Sequence, residues 1–202
     1  THAHVCGPDA SFAYDPARIY TPPDALLPAY EKMLSIIGVE RMVLVQPSIY
    51  GIDNSVMLKA MNETSLQVRG VAVVPLDIQD RELDILHQQG IRGVRFNLVD
   101  VKKPSASLPL DEISLFAKRL KIRKWHVEFL IHADDYPDFH ELFKDFPTEI
   151  VVGHFGYFRP GCQRENPGFQ GMLELATSGK CWIKLTGPYR ISAEEFPYAD
   201  VD

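Results

Sequence analysis

An α/β barrel of the (β/α)8 type is the fold class this sequence predicts, and three observations predict it. Apolar runs of strand length alternate with amphipathic stretches of helix length along nearly the whole chain, the signature of parallel β-α units. The runs are almost continuously apolar, as in Met42-Val43-Leu44-Val45, the pattern of a strand covered on both faces. They also end in polar residues: His2 and His4, Gln46 and Ser48, Arg95 and Asn97, His132, His154, Lys184 and Thr186. Barrels of this kind gather their active sites at the carboxyl ends of the strands. A doubly wound open sheet is the competing arrangement, but no Gly-rich phosphate loop follows any strand, so its nucleotide-binding version loses its main support.

Thr1-His2-Ala3-His4-Val5 opens the chain as a strand, whose period of two sets both imidazoles on one side. A loop rich in Pro, Gly and Tyr follows from Gly7 to Pro23. Asp24 is placed to cap a helix with the apolar stripe Leu26, Leu27, Tyr30, Met33, Leu34, Ile37, and Gly38 to end it. The strand Val39–Pro47 comes next. A short helix over 55–62 leads to a strand over 68–74; a helix over 80–89, stopped by Gly90, leads to a strand over 93–97. A helix over 110–121, with Ile113, Phe116, Ala117 and Leu120 on one face, leads to the strand 125–133. A helix over 136–146, with Pro147 beyond it, leads to the strand 150–154, and a helix over 168–178, stopped by Gly179, leads to the strand 181–187. That makes seven strands and six helices in 202 residues. Eight strands close such a barrel, in about 250 residues. The chain therefore reads as one barrel domain over 1–202, truncated at both ends, entering strand one midway and stopping before strand eight.

Composition narrows the partners. An apolar fraction of 46%, a charged fraction of 24% and a net charge of -6 are those of a globular protein and argue against a nucleic-acid or anionic-membrane surface. A small acidic ligand, which responds to local charge, stays open. Three scattered cysteines, Cys6, Cys162 and Cys181, without a Cys-x-x-Cys, indicate free thiols in a reducing compartment, hence a cytoplasmic location. No apolar run reaches the roughly 18 residues of a membrane span. The chain opens on Thr1 without an initiator Met, which leaves an earlier targeting sequence open.

Among the polar strand ends, the His2-x-His4 pair is how many metal-dependent hydrolases begin a divalent-metal site; a surface pair is the alternative. His132 ends a strand on which His126, Glu128, Leu130 and His132 share one face, putting His132 at the top and His126 at the bottom of the same interior. His154 follows a buried strand between Gly153 and Phe155-Gly156, a setting for a general acid-base; the alternative is a core histidine bonded to a neighbouring carbonyl. His87 and His140 fall within helices and are expected in solvent. Arg95 carries a permanent charge at the end of an apolar strand, and a bound carboxylate or a structural Glu or Asp would answer it. Arg190 occupies the loop after strand seven. Two such arginines beside histidines and tyrosines point to an anionic substrate.

The ordered series His2-Ala3-His4-Val5-Cys6-Gly7-Pro8, Arg18-Ile19-Tyr20-Thr21-Pro22, Val45-Gln46-Pro47-Ser48, Gly51-Ile52-Asp53-Asn54, Arg92-Gly93-Val94-Arg95-Phe96-Asn97, Val152-Gly153-His154 and Pro188-Tyr189-Arg190 resembles the amidohydrolase superfamily. Within it, the chain resembles the branch of the 2-pyrone-4,6-dicarboxylate lactonases. The resemblance implies a hydrolase that opens the lactone of a small carboxylated ring. His2, His4 and His154 would surround the reacting carbonyl, and an aspartate on strand eight would activate water. Tyr20, Ser48, Arg95 and Arg190 would bind the substrate's carboxylates. Three departures stand out: Val101 followed by Lys102-Lys103 where the lactonase has a second arginine, Leu130 for its strand-five tyrosine, and His132 for a glutamate. The last reopens the question of metal. The pyrone lactonase works without one, whereas relatives with histidine at this position bind zinc; His2, His4 and His132 are then the expected ligands of one divalent ion. Isomerisation of a sugar-acid lactone, decarboxylation at a metal centre, and a non-catalytic binding module are the alternatives on the same scaffold.

Overall fold

The computed structural model describes residues 2–7, 11–99 and 108–201. They fall into two compact units, one formed by the residues up to Arg95 and the other by Phe96–Val99 and the residues from 108 onward. Among the described residues no helix is long and apolar enough to cross a membrane.

In the first unit, helix α1 (Leu27–Ile36) turns Leu27 and Leu34 inward and carries Pro28 in its first turn, where the missing N–H is no loss. Its N-cap is Leu26, with no side-chain cap. The expected cap, Asp24, packs its carboxyl against Gly7 instead, in space that glycine leaves open. Strands β1 (Arg41–Val45), β2 (Gln67–Ala72) and β3 (Ile91–Asn97, whose last two residues belong to the second unit) alternate with α2 (Ser55–Glu63) and α3 (Asp80–Gln88). β1 pairs in parallel with β2, Leu44 opposite Gly70, and β2 with β3 through a register shift at Gly70/Val71. A Cβ at Gly70 would press on Met61 Sδ of α2 and on Ile91, so the missing side chain lets helix and sheet close together. The opening residues do not make the expected strand. Ala3 forms one parallel bridge to Leu44, and Cys6 then turns to pair antiparallel with Ala25. Val45 O, which the next rung would use, accepts from His4 Nδ1 at 2.7 Å instead.

The second unit repeats the scheme with α4 (Leu110–Ile122), β4 (His126–Leu130), α5 (Phe139–Phe143), β5 (Ile150–Val152), α6 (Pro167–Thr177) and β6 (Cys181–Ile183). β4, β5 and β6 pair in parallel, with Val127 opposite Ile150 and Ile150 opposite Cys181. Phe129 is the centre of the core, its ring 5.1 Å from Phe143, 5.8 Å from Phe146 and 6.0 Å from Phe96. α5 is shorter than the predicted 136–146. Pro137 forces Tyr136 out of the helical region, to φ -124° and ψ 82°, and a 3-10 turn over Ala133–Asp135 takes its place. The described residues thus contain six parallel strands and six α-helices, an α/β series with one strand fewer than predicted.

Gly168, in the first turn of α6, meets the 3-10 turn at close range: a Cβ there would fall on the Ala133 carbonyl oxygen and lie 3.0 Å from Tyr136 O. Both obstacles are backbone and yield little. Gly168→Ala is expected to lower stability by about 1–3 kcal/mol, measured as a fall in the urea midpoint without change of slope; an unchanged midpoint would show that the turn gives way freely.

Candidate active site at the strand ends

Two groups of polar side chains stand at the carboxyl ends of the strands, one in each unit. In the first unit, His4 Nδ1 lies 2.7 Å from Val45 O. A carbonyl oxygen only accepts, so Nδ1 carries the proton and Nε2 of the neutral ring is the acceptor nitrogen. His2 stands beside it as strand alternation predicts, with Nε2 3.3 Å from His4 Nε2 and the rings edge to face at 4.9 Å. Two nitrogens bound at 2.0–2.1 Å to one tetrahedral ion would be about 3.3 Å apart. The pair therefore fits two positions of such an ion, and fits equally a single shared proton. Among the described residues, no group of three or more His, Cys, Asp or Glu side chains is gathered as a metal would require.

Arg95 is 4% exposed, and its Nη1 donates to Gln46 O at 3.3 Å. Gln46 is wholly buried at the end of β1, with Nε2 on Asp53 O at 2.6 Å. Ser48 is half-buried at the start of a 3-10 turn, and Tyr20 lies at the surface.

In the second unit the backbone after β5 is unusual. His154, Phe155, Gly156 and Tyr157 all have positive φ, at 50°, 57°, 81° and 52°, a region that L-residues with a Cβ enter at a cost. This left-handed turn is held by Phe155 N on Lys184 O at 2.9 Å and by His154 Nδ1, which lies 2.9 Å from Thr186 Oγ1 and 3.2 Å from Thr186 O. Gly187 keeps the space clear, since a Cβ there would lie 3.3 Å from His154 Nδ1. His154 thus makes the carbonyl bond of a core histidine, and that same bond orients its ring. His132, after β4, places Nδ1 2.7 Å from Tyr157 O.

Tyr157 links this group. Its ring is 5.2 Å from that of His132 and 6.2 Å from that of His154, and its hydroxyl accepts from Arg190 Nη1 at 2.8 Å. Burial pulls down the Arg190 pKa, but its interactions with Tyr157 and Tyr189 together outweigh it and leave the guanidinium above its usual range. Arg159, two residues on, clamps the loop to the Ala133–Asp135 turn through Asp134 at 2.7 Å and Asp135 at 2.8 and 2.9 Å. That bond holds the Asp135 carboxyl below the usual carboxylate range. Beneath the turn, Lys184 Nζ meets the buried Glu128 Oε2 at 2.5 Å. A recess of about 610 Å³ behind it, lined by Phe155, Phe158, Met172 and Leu185 among others, takes in no histidine and neither Tyr157 nor Arg190.

The structure therefore brings His2 to His4 in one unit, and His132, His154 and Arg190 around Tyr157 in the other. Val101 and Lys102-Lys103 lie outside the described residues. His87 and His140 are half-buried rather than free in solvent. Tyr157 and the Arg159 clamp are the residues that sequence reasoning missed, and so is the pairing of Glu128 with Lys184; the flanking Gly153 and Gly156 marked the region.

Imidazoles and a guanidinium at the carboxyl ends of parallel strands are the equipment of a hydrolase on a β-α scaffold. The Amidohydro_2 family, described as amidohydrolase, matches residues 1–202: the chain belongs to this family and is a hydrolase of the amidohydrolase superfamily. It is 35% identical over 211 residues to a 2-pyrone-4,6-dicarboxylate hydrolase of Comamonas testosteroni, covering 99% of this chain and 68% of that protein. It is 33% identical to a 4-sulfomuconolactone hydrolase of Rhizobium radiobacter, covering 100% of this chain and 67% of the relative. Among solved structures, it resembles a probable 2-pyrone-4,6-dicarboxylic acid hydrolase of Acinetobacter baumannii with citric acid bound, at a TM-score of 0.83 and 29% identity, over 97% of this chain and 72% of that one.

Proposed function

We propose that this protein opens the lactone ring of a small substrate bearing carboxylates, of the 2-pyrone-4,6-dicarboxylate kind, in the cytoplasm. The relatives named for lactone hydrolysis support the reaction. The observation that carries the proposal is the common setting of His4, His132 and His154 at strand ends: each has Nδ1 near a main-chain carbonyl, at 2.7, 2.7 and 3.2 Å, and His154 Nδ1 is nearer still to the Thr186 hydroxyl, at 2.9 Å, so each ring is held by its Nδ1 edge. Arg95 and Arg190, with Tyr20 and Ser48, hold the acid groups. Attack of water on the lactone carbonyl builds negative charge on its oxygen, and donors aimed there are worth several kcal/mol. A neutral imidazole with its proton on Nδ1 cannot donate from Nε2. The histidines therefore act there as imidazolium donors, as proton acceptors, or as ligands.

The third role is the one proposed for His2 and His4, whose Nε2 atoms stand 3.3 Å apart, the spacing of two ligands of one divalent ion such as zinc. When bound, such an ion supplies Lewis-acid polarisation and a more acidic water. His154, outside that set, takes and returns the proton, its ring steadied by Thr186. Protein purified without chelator is expected to hold one equivalent of divalent metal by elemental analysis, lost in His4→Ala, and to open 2-pyrone-4,6-dicarboxylate; loss in His132→Ala as well would bear out the third ligand expected from the sequence. Full activity after chelation, with no stoichiometric ion, would overturn the metal assignment and make His132 a substrate-binding or structural residue. An isomeric lactone as the product, instead of the open acid, would replace hydrolase by isomerase.

A further inference from the structure

We infer that Tyr157 is a substrate-binding residue, its hydroxyl donating to an anionic oxygen of the acidic lactone beside the Arg190 guanidinium. This rests on the proposed function for the identity of the ligand, but the geometry that points to it is independent. A guanidinium has no acceptor, so in the 2.8 Å contact Arg190 Nη1 donates and Tyr157 Oη accepts. The phenolic proton is then directed elsewhere, and among the described residues no acceptor is bonded to it. A hydroxyl that accepts from a cation is a stronger donor through its own proton. Hydroxyl and guanidinium together form an array of donors for one oxyanion, with at most one of the five guanidinium N–H groups spent on the tyrosine.

The placement of Tyr157 fits that role. Its backbone is in the left-handed region, φ 52°, and such strain in a residue with a Cβ persists where the surroundings over-determine it. Its carbonyl accepts from His132 Nδ1 at 2.7 Å, and its ring lies 5.2 Å from that of His132 and 6.2 Å from that of His154. The side chain that would hold the anion is therefore the one that neighbours both imidazoles.

The test uses pyridine-2,4-dicarboxylate, a planar ring with the acid groups in the same relative positions as the pyrone and no ester to cleave. Calorimetric titration is expected to show Tyr157→Phe binding it at least fivefold more weakly than the wild type, and Arg190→Met at least tenfold more weakly. The double variant should lose less than the product of the two. The dimethyl ester should bind wild type and Tyr157→Phe alike. Phenylalanine keeps the ring and the carbonyl on His132, and circular dichroism confirms the fold. Dicarboxylate binding by Tyr157→Phe as tight as wild type, or no binding by the wild type, overturns the inference. If the wild type opens no acidic lactone yet the Phe variant loses dicarboxylate affinity, the proposed function fails and the anion site stands. If turnover is present and the Phe variant is unchanged in both affinity and KM, the reverse holds.

Discussion

His154→Asn is expected to lower kcat on an acidic lactone by roughly 10²- to 10⁴-fold, the contribution of a positioned acid-base, while KM changes little. Asparagine is the informative replacement because it tolerates the left-handed conformation that His154 adopts at φ 50°. It therefore removes the imidazole without adding backbone strain. Steady-state rates on the wild type and variant decide it. A loss below tenfold would reduce His154 to the core histidine that its bond to Thr186 O also suits.

Arg95→Met should reduce kcat/KM on acidic lactones at least tenfold, with a smaller effect on their methyl esters. The guanidinium is 4% exposed and oriented by Gln46 O, so a substrate carboxylate meeting it is a charge-assisted contact away from water. Loss of such a contact costs about 2–4 kcal/mol. Methionine fills similar space without charge, which separates the field of the arginine from its bulk. Equal losses on acid and ester would assign Arg95 to structure.

The strands were legible because their apolar runs are nearly unbroken and Gly38, Gly90 and Gly179, all at positive φ, close the helices that precede three of them. Errors came where a local signal was overruled. Asp24 reads as a cap, but its carboxyl has Gly7 to pack against; the opening strand reads to Val5, but His4 occupies the carbonyl of Val45. The shortening of α5 was available in the sequence, since Pro137 disfavours a helical Tyr136. In the site, the histidines were visible as strand ends, whereas their partners were not. Tyr157 O and Thr186 O are main-chain acceptors 25 and 32 positions away in sequence from the rings they hold, and a carbonyl leaves no mark in residue identity. Glu128 and Lys184, 56 positions apart, likewise meet only because β4, β5 and β6 stand side by side.

The left-handed turn after β5 has a consequence for how this sequence can drift. Three of its four residues carry a Cβ in a conformation that glycine and asparagine occupy more cheaply. Random substitution under selection for stability alone would replace Phe155 with glycine or asparagine early. Phenylalanine there, between the proposed base and the tyrosine that braces His132, holds its φ of 57° at a cost that glycine or asparagine would lower. In descendants released from lactone chemistry, position 155 should be among the first of the turn to change.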